Sequence, residues 1–246
     1  MSKKTVRVGV LYPDHLNIYA DRGNLLFLRK RCEWRGIDFE LLPYGFGSEI
    51  NSTEFDLLYI GGGQDRDQAL CAQDLGKQKA GVIRAWFEDG RPLLAVCGGF
   101  QLLGSHYETA RELIEGVGAA DLHTEAGRDR LIGPIAVQTD LGGPAQGVLA
   151  GFENHAGRTR LGPSAIPLGS VLKGNGNDGA SGLEGVRNGF AIGTYLHGPL
   201  LPKNWWLADW LIAASTGLEP EELPVLPDDF ERAAHDTALR AARVSG

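Results

Sequence analysis

Four short apolar runs in the first half of the chain leave it little choice of architecture. TVRVGVLY (5–12), IDFELLPY (37–44), FDLLYIGGG (55–63) and RPLLAVCGG (91–99) are each bounded by proline or glycine, and each is the length of one buried strand. Helical periodicity fills the gaps. From Asp21 to Arg35, apolar residues at 25, 26, 28 and 32 alternate with basic residues at 29, 30 and 31, and Gly36 closes the segment. A second helical region spans about 66–89, with interruptions expected near Gly76 and Gly81, and FQLLGSHYET (100–109) reads as the helix after the fourth strand. Strand and helix alternate, so the fold class is α/β, with a mostly parallel, doubly wound, flavodoxin-like sheet flanked by helices.

Beyond residue 115 the texture changes. LIGPIAVQT, VLAGFEN, LGSVLKG and FAIGTYL are short apolar pieces between glycine-rich turns, the pattern of antiparallel strands added to the sheet. GNGNDGASG (174–182) reads as a mobile hairpin or loop. NWWLADWLIAAST is a helix, and Asp228 to Val244 another. No repeat or linker divides the chain, so one domain over 1–246 is expected.

Composition narrows the function. Hydrophobic residues are 43% and charged residues 22% of the 246, enough for a real core. The net charge of -7, without a run of like charges, argues against nucleic acid or an anionic membrane as partner. MSKKTVRVGVLYPD is a first strand rather than a signal peptide, and Trp205 to Ala214 is too short to span a bilayer and contains Asp209. Three cysteines without a CxxC pattern suit a reducing, cytoplasmic compartment.

One of those cysteines stands at a chemically loaded place. In open α/β sheets ligands bind at the carboxyl ends of the strands, and Cys97 ends such a strand immediately before a helix. Gly98 and Gly99 are expected to supply the backbone freedom for a sharp turn, and the helix N-terminus favours thiolate over thiol. This is a cysteine version of the nucleophile elbow. Cys32 and Cys71 lie in helical segments and read as structural. A thiolate needs a proton-transfer partner, and among six histidines His197 is the first choice, because GTYLHGP ends an apolar strand in the same way. His155, in GFENHAGR, is the second. No histidine pair has metal-ligand spacing, so no metal is expected. For an acyl oxyanion, the backbone N–H groups of Gly62 and Gly63 in YIGGGQD, with that of Gly98, are the candidate donors. The glycine loop has neither a GK[ST] nor a GxGxxG frame, which removes the common phosphate motifs.

AVCGGFQ resembles the G-x-C-x-G-x-Q elbow of class I glutamine amidotransferases at Cys97, Gly99 and Gln101, with Ala95 where the first glycine is usual. YIGGGQD resembles the oxyanion strand of that family. GFENHAGRT, TEAGRDRLIGP and GTYLHGPLLPKN are similar to its cobyric-acid-synthase-like branch, and there to stand-alone glutaminase subunits serving peptidoglycan amidation. The likeness covers about residues 5–217 and leaves the helical tail 218–246 outside. The resemblance implies that Cys97 attacks the side-chain amide of L-glutamine, that His197 shuttles the proton, and that Gln101 lies on the substrate side. It also implies that Arg130 holds the substrate α-carboxylate, with Arg128 two residues away as the alternative. The ammonia would pass to a Mur-ligase-like, MurT-type synthetase subunit in a heterodimer. That subunit would carry the ATP and magnesium, for which this chain has no motif and which leave it without a cofactor of its own. Rival readings are a glutaminase for corrinoid amidation, a non-catalytic flavodoxin-like binding subunit, and a cysteine hydrolase acting on peptides.

One family element is missing. The glutamate that usually follows the histidine by two residues is replaced here, since His197 precedes Gly198 and Pro199. The acid that orients the imidazole is therefore expected from elsewhere in the chain or, preferably, from the synthetase partner.

Overall fold

The structure is a computed structural model that describes residues 4–17, 22–109, 112–142 and 147–243. The strand–helix alternation appears as β1 (Thr5–Leu11), α1 (Arg22–Trp34), β2 (Asp38–Tyr44), β3 (Leu57–Ile60), α2 (Asp65–Asp74), α3 (Ala80–Glu88), β4 (Leu93–Val96) and α4 (Gly98–Leu103). β1 pairs in parallel with β2 and with β3, and β3 in parallel with β4. Every residue of β3 and β4 is buried, which is why their sequences are continuously apolar: helices cover both faces. Asp21, the expected first residue of the first helix, and Val244, the expected last residue of the tail helix, lie outside the described residues.

The interruption expected near Gly76 is a π-turn, Leu75–Lys79, between α2 and α3, whereas Gly81 sits within α3 without breaking it. Lys79, fully buried at the end of the turn, is paired with Asp74 at its start. The extra residue of a π-turn brings these two side chains together. The helix expected over FQLLGSHYET ends early. At Gly104 the backbone turns extended, passing so close to Leu122 that a side chain there would collide with it, and His106–Glu108 becomes strand β5.

The second half builds a sheet of its own rather than enlarging the first. β6 (Leu113–Glu115), β7 (Leu122–Gln138), β8 (Val148–Leu161), β9 (Gly169–Lys173) and β10 (Leu183–Glu184) form it together with β5, around the long antiparallel pair β7–β8. Only β11 (Val186–Asn188) and β12 (Ala191–Thr194) return to the first sheet, whose order is β11-β12-β4-β3-β1-β2. β12 runs parallel to β4, and β11 is antiparallel to β12. The expectation of antiparallel strands added to the first sheet thus holds for β11 alone.

The glycine-rich segment 174–182 is the loop of the β9–β10 hairpin, as expected, but hydrogen bonds tie it down. Glu153 accepts hydrogen bonds from Asn175 N (2.8 Å) and Gly176 N (2.9 Å), Asn177 and Gly185 bond each other twice, and Asp178 caps Ala180 and Ser181. The glycines let the chain fold closely around a buried carboxylate.

Three helices close the molecule: α5 (Leu200–Lys203), α6 (Trp205–Thr216) and α7 (Asp229–Ala241). α6 is apolar nearly all round and largely buried. Leu239 of α7 and Ala242 just after it are buried against Ala136 of β7 and Ala150 of β8, so the tail buttresses the second sheet. Its entry is tied down by Arg31 of α1, a buried guanidinium that pairs with Asp209 of α6 and Asp228 before α7. No helix among the described residues is long and apolar enough to cross a membrane.

Candidate active site

Cys97 itself carries the strain of the elbow. Its φ of 51° and ψ of -104° lie outside the ordinary regions for a residue with a side chain, between the last residue of β4 and the first of α4. Its N–H donates to Thr194 O of the neighbouring strand (2.8 Å), which fixes the turn against β12. Gly98 and Gly99 are needed for a reason other than the expected one, since neither has a positive φ. A Cβ on Gly98 would fall on Gln68 Nε2 and 3.0 Å from Gly63 N, and one on Gly99 would fall on Ile60 O and 2.9 Å from Gly61 O. The two glycines let the start of α4 pass directly over the loop that follows β3.

That close passage assembles the candidate oxyanion donors. Gly99 N–H is used in a hydrogen bond to Gly61 O (3.1 Å), which locks the two loops together. Gly98 N–H has no partner among the described residues. Gly63 lines the cavity in front of the thiol, whereas Gly62 is buried behind the wall. Leu16 packs against both Gly61 and Gly63 and holds the loop from the far side.

The cavity measures about 830 Å³, and its wall includes Cys97, Gln101, Gly63, Arg130, Asn154 and His155. Arg130 arrives by an irregularity in the ladder: between Ala126 and Leu131 the register of β7 against β8 shifts, and the intervening GRDR bulges outward. Its guanidinium is aimed by Asn154, donating from Nε to the side-chain oxygen (2.9 Å) and from Nη2 to the carbonyl (2.8 Å). Arg128 is exposed and does not reach the wall. Of the two arginines, only Arg130 is brought to the cysteine.

Gln101 faces the cavity but is already engaged. Its Oε1 accepts from Gln68 Nε2 (2.8 Å) and its Nε2 donates to Tyr195 Oη (3.0 Å). Tyr195 Oη also bonds Thr159 Oγ1 (2.6 Å), which bonds Thr124 Oγ1 (2.8 Å). The chain of bonds ties α2, α4, β12, β8 and β7 into one buried polar network beneath the site. A glutamine in the motif therefore serves rigidity first.

The two candidate histidines differ in setting. His197 is buried just past β12, the strand beside β4, and forms an isolated bridge with Phe152 of β8; it is not on the cavity wall. His155 is on the cavity wall; its Nδ1–H donates to Gly157 O (2.9 Å) and its ring stacks on Tyr195. Burial, with Arg158, His197 and Arg130 nearby, pushes the His155 imidazole down to about 4, so it stays neutral at ordinary pH and accepts a thiol proton poorly. Cys32 and Cys71 are buried in α1 and α2, and burial pushes both thiols up to about 12, far from nucleophilic.

Three residues of this arrangement have little or no signal in the sequence. Gln68 follows the glycine loop by about one helical turn and could be suspected on that ground. Glu153 and Glu184 could not, since both sit in or near glycine-rich stretches. Glu184 is fully buried, accepts hydrogen bonds from Thr194 Oγ1 and Tyr195 N (both 2.7 Å), and leaves Oε2 without a partner. It fixes the end of the strand that carries His197.

Comparison with known proteins gives a consistent picture. Residues 7–205 match the CobB/CobQ-like glutamine amidotransferase domain. The chain is 39% identical, over 90% of its length and 88% of the relative, to the protein named lipid II isoglutaminyl synthase (glutamine-hydrolyzing) subunit GatD of Staphylococcus aureus. It is 35% identical, over 85% of its length and 80% of the relative, to the protein of the same name in Streptococcus pneumoniae. Among solved structures, the glutaminase domain of CTPS from Trypanosoma brucei, with bound acivicin, superimposes with a TM-score of 0.51 at 13% identity, covering 90% of this chain and 96% of that one. That last likeness is one of fold alone.

Proposed function

The chain belongs to the CobB/CobQ-like glutamine amidotransferase family, and from that premise we propose that it is the glutamine-hydrolysing subunit of a lipid II isoglutaminyl synthase, releasing ammonia for a MurT-type ligase subunit. The observation that carries the reading is Cys97 on a strained elbow, opening into a cavity that also holds Arg130 and Gly63.

The proposed steps draw on the residues around the cavity and on His197 past β12. Glutamine binds with its α-carboxylate on Arg130, whose planar fork suits a carboxylate. The Cys97 sulfur attacks the side-chain carbonyl carbon, and the oxyanion is received by the N–H groups of Gly98 and Gly63. His197 takes the thiol proton and returns it to the departing nitrogen, so that ammonia leaves and a γ-glutamyl thioester remains. Water, deprotonated by the same imidazole, then attacks the thioester to release glutamate and restore the thiol. His197 is preferred over His155 because a neutral ring with its pKa near 4 is a poor match for a thiol. With Gly198 and Pro199 after the histidine, the orienting acid comes from the synthetase subunit, which also carries ATP and magnesium and amidates the D-glutamate of the lipid II stem peptide.

Labelling with 6-diazo-5-oxo-norleucine tests the reading. One equivalent on Cys97, lost in Cys97→Ala together with glutamine hydrolysis, is the expected result; turnover retained in that variant overturns the mechanism. Glutamine-dependent amidation of lipid II by the complex, absent with either subunit alone, tests the acceptor. Equal kcat for glutamine hydrolysis with and without the partner would count against an acid supplied across the interface.

A further inference from the structure

Immediately past His197 the chain makes a turn that only glycine accommodates easily: Gly198 has a φ of +99°. The next turn, α5, is fixed by two fully buried asparagines. Asn24 Oδ1 accepts from Leu201 N (2.9 Å), while Asn204 bonds both the N–H and the carbonyl of Ala150 (2.8 Å each). His235 of α7 adds a hydrogen bond to the Lys203 carbonyl (2.7 Å). The backbone of Lys203 is therefore held from three sides, and its side chain lies back over the turn. Its Nζ stands 2.8 Å from the point that a Cβ on Gly198 would occupy, beside the residue that follows the candidate base.

This ammonium is half-buried, and burial holds it below the ordinary lysine range. No carboxylate among the described residues pairs with it. The two fully buried cations among the described residues are matched: Arg31 has Asp209 and Asp228, and Lys79 has Asp74. Lys203 is thus a partly desolvated cation with no anion among the described residues. Substrate does not supply the anion, since Lys203 is not on the wall of the Cys97 cavity.

The surface beside it is apolar. In the β7–β8 ladder Pro134 faces Phe152 and Ile132 faces Asn154, so these four side chains share one face. That face is the solvent side, opposite the buried Glu153, and it leaves Phe152 38% and Ile132 56% exposed. Phe152 is the residue bridged to His197. A cation without a counter-ion thus borders exposed apolar surface at the edge of the candidate site.

We propose that Lys203 is the docking point for a carboxylate of the synthetase subunit, whose apolar surface covers Phe152, Pro134 and Ile132. The inference rests on the reading of this chain as one subunit of a two-subunit enzyme. The charge specifies an acidic side chain, and the flanking residues specify an apolar surround that desolvates the pair.

The test is to titrate wild type, Lys203→Met and Lys203→Glu with the purified Mur-ligase-like subunit of the same organism, at low and at high salt. Lys203→Met, which keeps the aliphatic stem, is expected to weaken binding about tenfold, and Lys203→Glu about a hundredfold. The wild-type affinity is expected to fall with salt more steeply than that of Lys203→Met, whereas Phe152→Ser weakens binding without flattening that slope. Thermal melting identifies any variant that fails to fold, and Lys203→Met then answers for the charge. Wild-type affinity in Lys203→Met, with an unchanged salt slope, overturns the proposal alone. Failure of wild type itself to bind that subunit overturns the functional reading and this inference with it.

Discussion

The imidazole of His155 lies flat on the ring of Tyr195, with centroids 3.6 Å apart and planes 4° from parallel. Tyr195 is in turn bonded to Gln101 and Thr159, so the stacked ring belongs to the scaffold under the thiol. His155→Phe, which keeps a flat ring there, is expected to retain a measurable part of the glutaminase kcat. His197→Ala is expected to lose roughly 10²–10⁴-fold, the usual worth of a general base. The reverse order in steady-state kinetics would transfer the proton-shuttle role to His155.

Arg130 and Arg128 separate the same way. Only Arg130 is aimed at the cavity by Asn154. Arg130→Ala is expected to raise the KM for glutamine by about tenfold or more with a smaller change in kcat, as loss of uniform binding does. Arg128→Ala should leave KM close to wild type; a raised KM in Arg128→Ala alone would move the carboxylate clamp by two residues.

The two elbow glycines should fail differently. A methyl on Gly99 meets the carbonyl oxygens of Ile60 and Gly61, which are backbone and cannot step aside. A methyl on Gly98 meets the end of the Gln68 side chain first. Gly99→Ala is expected to cost about 1–3 kcal/mol of stability, measurable by denaturant unfolding. Gly98→Ala should cost less stability and still lower kcat, because Gln68 and Gly63 must shift. Equal unfolding free energies for the two variants would contradict this account.

Glu184 makes stability depend on pH in an unusual direction. Burial pushes its carboxyl up to about 7 from the ordinary 4.5, so the folded state prefers the protonated form. Its contribution is complete below about pH 4.5 and is lost as pH rises through 7, a change of up to about 3 kcal/mol. Glu184→Gln removes that slope. Its stability relative to wild type should therefore rise between pH 5 and pH 8; a difference that is flat with pH would mean that Glu184 ionises as readily in the folded state as in the unfolded one.

Arg31 and Lys30 are adjacent, and each makes an ion pair. Lys30 and Glu33 are 58% and 45% exposed, and Lys30→Ala should change stability by less than about 1 kcal/mol. Arg31 is buried with Asp209 and Asp228; Arg31→Met leaves Asp228 without its cation and Asp209 with Arg35 alone, and should cost about 3 kcal/mol. Proteolysis gives a second readout, since loosening Asp228 frees the start of α7. Unfolding free energies that put Lys30→Ala level with Arg31→Met would refute the contrast.

The sequence made the parallel sheet legible because β3 and β4 are buried on both faces and read as unbroken apolar runs, each ended by glycine. Cys97 was legible for the same reason. The role of its glycines was not, because the atoms that exclude a side chain belong to Gln68, Ile60, Gly61 and Gly63, far away in sequence. Leu122 likewise excludes a side chain at Gly104, just past α4, again through a contact between distant residues. β7 was read only in part, since the charged GRDR bulge interrupts its alternation and is what carries Arg130 to the cavity. The loop at 174–182 misled through composition: glycines and asparagines usually mean solvent, and here they wrap Glu153.

The placement of β12 beside β4 has a consequence for how the protein is made. A ribosome that has released β1 to β4 has already produced the thiol and the glycine loop, but the strand leading to His197 is still to come. Between them the chain must lay down the whole second sheet before β12 can return to close the first one. Pairing across so long a stretch is slow to form, because the loop must be ordered before the contact rewards it. The nascent chain thus carries Cys97 through most of its synthesis without the strand that leads to His197, and β12 can take its place beside β4 only after the whole second sheet has emerged.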